Sequence, residues 1–133
     1  MVEEDKMQTC KITLTTSVDG KEAQIVRTGR VVLCLSKSMV CYHEKNADIT
    51  LIFEKECVKL ERRGDYALSL SLKQGELSDG KLVFGGSVGN IRVKTHKVSY
   101  SIGKDSLLAC LSYDLIFGEE KQEMKLRMYV KAV

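Results

Sequence analysis

Apolar and polar residues alternate with a period of two along most of this 133-residue chain. The clearest case covers 58–72. Val58, Leu60 and Arg62 share one parity, and Tyr66, Leu68, Leu70 and Leu72 continue it. Lys59, Glu61, Arg63, Asp65, Ser69 and Ser71 take the other. A strand with that pattern turns one set toward a core and the other toward water. The same period runs through 9–18, 30–36, 91–102 and 107–117, and through Met124, Leu126, Met128 and Val130. Only 119–128 has competing helix propensity, and its apolar positions fit period two better.

Turn residues punctuate these runs. Asp19-Gly20 is the strongest short hairpin signal and predicts a type I′ turn. Ser78-Asp79-Gly80 is a second turn signal, Gly29 interrupts the run around it, and a bend is expected near Lys97. The glycine-dense 85–90 stretch predicts a wide hairpin loop, in position to act as a lid. The spacing gives about ten short strands with a turn every 8 to 12 residues or so, as in an all-β sandwich or barrel. Short turns between sequential strands imply antiparallel pairing in a meander, and closing the sheet removes its edges. The expected architecture is a single up-and-down barrel of about eight to ten strands over 9–133, after a flexible 1–8. Arg27-Thr28-Gly29 and Arg62-Arg63-Gly64, each followed by Leu-x-Leu-Ser, form an internal echo. Both read as strand–Gly–strand corners.

Composition narrows the function classes. Net charge is only +3, which argues against an obligate polyanion binder. The absence of Trp and an aromatic content of 6% give no hint of a base-stacking platform. No apolar run reaches the ~18 residues of a membrane helix, and the acidic start lacks a signal-peptide pattern. The five cysteines include no C-x-x-C pair. They read as buried or half-buried free thiols in a reducing cytosol, with Cys10, Cys34 and Cys110 in apolar runs.

Four segments carry a family resemblance. They are Gly29, Arg62-Arg63-Gly64, the loop and strand 84–93, and Leu111-Ser112-Tyr113-Asp114-Leu115. With them the chain, from about Thr9 to Val130, resembles the YwiB-like group of small bacterial proteins, a family of unknown function. The resemblance implies a calycin-like (lipocalin-type) β-barrel and no particular activity. One departure stands out. The family's usual Thr-Pro-Tyr-Gly element is Gly86-Ser87-Val88-Gly89 here, so a role for that tyrosine is in doubt.

Candidate chemistry centres on residues that break the pattern. Arg27 and Arg62 lie on apolar parities, where an unpaired guanidinium is costly. Either they meet the anionic head of an amphiphilic ligand, or each sits at a barrel end. There it would snorkel into water or pair with an acid such as Glu44 or Asp114. Tyr66 and Tyr113 share the inward parity and join Arg27 and Arg62 as ligand-binding candidates. Arg92, Lys94, His96 and Lys97, with Lys104, Arg127 and Lys131, make a basic outer face. It reads as a solvated surface, and the few aromatics among it weaken a single-strand nucleic-acid reading. Cys41 and His43 share a face, but no catalytic constellation is visible, and neither histidine has the neighbours of a metal site. The glycine loop lacks the Lys-Ser/Thr of a P-loop. The sequence thus predicts a non-enzymatic cytoplasmic barrel with no cofactor, binding a small apolar or amphiphilic ligand at its mouth. The alternative is an interaction or scaffold protein using its basic outer face for nucleic acid or a protein partner.

Overall fold

A computed structural model describes residues 7–133. Ten strands follow one another: β1 (Gln8–Val18), β2 (Lys21–Val32), β3 (Ser38–Glu44), β4 (Ala47–Glu54) and β5 (Cys57–Gly64), then β6 (Tyr66–Lys73), β7 (Leu77–Phe84), β8 (Ser87–Ile102), β9 (Ser106–Phe117) and β10 (Glu120–Ala132). Each pairs antiparallel with its sequence neighbours, and β1 pairs with β10, so the sheet closes into a barrel. The expected all-β, up-and-down barrel is the observed fold. No helix is long and apolar enough to cross a membrane among the described residues.

The alternation fixes the register. Ile12 stands opposite Val130 on one side and Arg27 on the other, and Leu14 opposite Met128 and Ile25. Directly opposed residues share a face, so these parities form one inner wall. Ile12, Leu14, Leu51, Phe53, Val93 and Met128 are among the fully buried side chains that pack inside. At one end of the barrel two aromatic rings meet. Phe53 packs against Tyr100 with ring centroids 5.2 Å apart, and the Tyr100 hydroxyl donates to the Lys55 carbonyl at 2.6 Å. The opposite end carries the β1–β2, β3–β4, β5–β6, β7–β8 and β9–β10 turns, and inward-facing Ile25, Leu68 and Met124 are only half-buried near it.

Asp19 and Gly20 both have positive φ (50° and 84°), as a type I′ turn requires. Several other expectations change. Gly29 does not interrupt anything, because β2 runs straight through it. A Cβ there would meet the Cys41 carbonyl and lie 2.7 Å from Ile12 Cδ1, so this glycine permits close approach rather than a turn. The same holds for Ser78-Asp79-Gly80, which lies inside β7; a Cβ on Gly80 would lie 2.7 Å from Leu70 Cδ2. The turn falls instead at Gln74-Gly75-Glu76. The two halves of the echo therefore differ, since Gly29 is mid-strand and Gly64 ends β5 at a hairpin. The 85–90 stretch forms no wide loop: Phe84 pairs with Ser87 across a two-residue turn at Gly85-Gly86. Near Lys97 the expected bend is a β-bulge between Thr95 and Lys97. Cys34 is exposed in the β2–β3 loop rather than buried. Gln8 already belongs to β1, opposite Val31, and residues 1–6 of the expected flexible start lie outside the described residues.

Candidate functional site

The residues that broke the apolar pattern lie along the inner wall, Arg27 in mid-strand and Arg62 near the end that carries the β5–β6 turn. Arg62 lies on β5 opposite Ile49 and Leu68, with its side chain 15% exposed. Its Nη1 donates to the Tyr66 carbonyl at 2.7 Å, and Nη2 lies 2.8 Å from Asp65 Oδ1. Its guanidinium carbon stands 3.7 Å from the centre of the Tyr66 ring. All three partners belong to the β5–β6 hairpin, so Arg62 clamps its own turn. Its acid is Asp65, neither Glu44 nor Asp114. The hydrogen bond from Arg62 holds the exposed Asp65 carboxyl below the usual range.

Arg27 is engaged differently. It is half-buried on β2 opposite Ile12, and Nη1 donates to the Val26 carbonyl at 3.0 Å. No carboxylate lies within ion-pair distance of it among the described residues. Tyr113 on β9 is 5% exposed and opposite Met124 and Thr95. Burial, and then the neighbouring Tyr66, push its phenol up to about 12. Tyr42 on β3, opposite Gly29 and Ile49, is 9% exposed. Burial raises its phenol most, Glu44 and Tyr113 raise it further, and Arg27 pulls it down. Tyr42 thus feels the charges of Glu44 and Arg27, and both tyrosines stand on the inner wall.

The Tyr42 and Tyr113 rings are buried, but Thr95 Oγ1 is the one fully buried side-chain polar atom without a hydrogen-bond partner among the described residues. Unpaired polar groups inside a protein are rare because each costs the free energy of its lost hydration. The arrangement offers one guanidinium without an ion pair among the described residues and two phenols on an apolar wall, a set suited to an anionic or polar head group. The sequence reading missed Tyr42, whose signal is its parity with the buried Val40. It also missed Thr95, which only the register places opposite Tyr113.

The outer wall holds separate pairs. His96 Nε2 lies 2.8 Å from Asp114 Oδ2, and His43 Nδ1 pairs with Asp48. The Cys41 thiol accepts from Thr50 rather than His43. No group of three or more metal-capable side chains occurs among the described residues.

A family profile, described as a domain of unknown function (DUF1934), matches residues 11–128. The crystal structure of the ywiB protein from Bacillus subtilis superposes with a TM-score of 0.82 at 12% identity, covering 96% of this chain and 94% of that one. At that identity the likeness speaks to the fold. No curated protein matches the sequence. The profile spans nearly every strand of the barrel, and by that match the chain belongs to the DUF1934 family.

Proposed function

We propose that this barrel is a non-enzymatic binding module that takes a small amphiphile at the mouth ringed by the β1–β2, β3–β4 and β5–β6 turns. An anionic head sits at Arg27 and the Tyr42 and Tyr113 hydroxyls. The apolar body lies against half-buried Leu60 and Leu68, with Phe84 (65% exposed) and Phe117 at the rim. Such an occupant suits the ligand-cup use of calycin-like barrels. The observation that carries the reading is Arg27, half-buried on the inner wall with no carboxylate at ion-pair distance among the described residues, on the same wall as the buried rings of Tyr42 and Tyr113. Arg62 contributes less, since Asp65 and Tyr66 already engage it. The reading assigns the protein to the cytoplasm, supported by five free cysteines.

Calorimetric titration with dodecanoate and with dodecanol tests it. Saturable binding of the carboxylate is expected, at least tenfold weaker for the alcohol and for Arg27→Ala, because each removes one charge-assisted contact. Tyr113→Phe weakens the carboxylate alone. Absence of saturable binding, or unchanged affinity in both variants, overturns the proposal.

A further inference from the structure

The outer wall over β8, β9, β10 and β1 carries a second arrangement, independent of the barrel mouth. On β10 the outward residues Lys125, Arg127, Tyr129 and Lys131 follow one another at two-residue steps, all exposed. Their neighbours across the sheet are short. Lys125 stands between Ser112 and Ser17, and Arg127 between Cys110 and Thr15. The long β10 side chains therefore rise above a low floor and border a groove of about 580 Å3.

The β-bulge completes this groove. Thr95 and Val98 face the core, so both His96 and Lys97 between them are exposed. Strict alternation would have sent Lys97 inward with Thr95; the bulge re-aims it onto the row of Ser112 and Lys125. Lys97, Lys125 and Arg127 line the groove, with Glu22 as the acid among its lining residues. None of the three cations has a carboxylate within ion-pair distance among the described residues, whereas Lys131 is held by Asp105 at 2.9 Å. Tyr129 is 44% exposed between Arg127 and Lys131, beside the exposed Leu108.

We propose that this face binds single-stranded nucleic acid, with phosphates at Lys97, Lys125 and Arg127 and a base stacked on Tyr129. Unpaired cations along a groove attract any polyanion. An exposed aromatic ring set among them selects one that has flat bases free to stack. The sequence reading found few aromatics beside 92–97 because the relevant ring belongs to β10, brought alongside β8 only by the intervening β9. A shallow sheet face with no projecting helix or ribbon does not suit readout of a duplex groove.

Fluorescence anisotropy with a labelled oligouridylate of about twelve nucleotides tests the proposal. Three phosphate contacts predict about a 20-fold loss of affinity between roughly 50 and 200 mM salt. Lys97→Glu, Lys125→Glu and Arg127→Glu each weaken binding at least fivefold. Tyr129→Ala does so with an unchanged salt slope, and Tyr129→Phe retains the affinity. Lys59→Glu, on the far wall, and Arg27→Ala, in the mouth, leave it unchanged. Thermal melts confirm that each variant is folded. Failure to saturate at about 100 µM protein in the lower salt overturns the proposal. So does a Tyr129→Ala variant that binds as tightly as wild type, or inorganic polyphosphate competing as well as the oligonucleotide, since either reduces the face to simple cation attraction.

Discussion

Tyr113→Phe removes one hydroxyl from the inner wall and leaves the ring. Because the buried ring stays in place, the variant at about pH 8.5 keeps its stability to within about 1 kcal/mol. The difference emerges in alkali. In the folded protein burial lifts the Tyr113 phenol from 10.0 to about 12. Between those values the unfolded chain has released the proton and the folded chain still holds it. Unfolding then releases a proton, so rising pH favours the unfolded state. The contribution is complete below the unfolded value and lost as pH climbs through the folded one. That rise corresponds to roughly 3 kcal/mol in all, lost across the window. Urea unfolding followed by circular dichroism, at intervals from about pH 8.5 to 11.5, measures both proteins. The Tyr42 titration is set mainly by its own burial, which both proteins share; the smaller part that Tyr113 adds is lost in the variant and works in the same direction, steepening the wild-type curve. Wild type should lose stability more steeply than the variant above pH 10 or so. Parallel curves would refute the placement of Tyr113 as a buried phenol.

Three further outcomes follow from other parts of the barrel. Gly29→Ala, whose new methyl meets the Cys41 carbonyl and Ile12, costs about 2–3 kcal/mol in denaturant unfolding, although β2 is regular there. Arg62→Ala costs about 1 kcal/mol through the lost Tyr66 contacts, and NMR titration should show the Asp65 carboxyl rising toward its ordinary range. Arg62→Lys restores neither fully, because one ammonium cannot serve both partners in the same geometry. Timed alkylation read by mass spectrometry should label Cys34 first and Cys10 last. Cys34 is exposed and lowered by the Ser36 hydroxyl, and Cys10 is buried and raised by that burial. Ser36→Ala slows the Cys34 reaction.

The barrel was legible because a two-residue period reports both faces of each strand at once. Leu14, Leu70 and Met128 announce the core by position alone. Glycine was harder to read. Asp19-Gly20 marks a turn, whereas Gly29 and Gly80 mark places where another side chain or backbone comes close, and nothing local separates the two uses. Cys34 sits in an apolar run yet ends in a loop, where the Ser38 hydroxyl bonds both its amide and its carbonyl. Arg62 was identifiable as an oddity, and its partner Asp65 lies only three residues on. The grouping of Arg27, Tyr42, Thr95 and Tyr113 was not legible, because it depends on strands β2, β3, β8 and β9 meeting around a closed wall.

That closed wall also constrains when the fold can exist. Its seam sets Cys10 opposite Ala132 and Val18 opposite Met124. During synthesis β1 must therefore wait, with one edge bare, until β10 has left the ribosome. Until then the nascent sheet presents two open edges, each a template for a neighbouring chain. The same seam lays Val133 beside Thr9, its amide donating to the Thr9 carbonyl at 3.0 Å. A circular permutant that joins these two positions and opens the exposed Lys55-Glu56 turn instead would let the seam form early, as an ordinary hairpin.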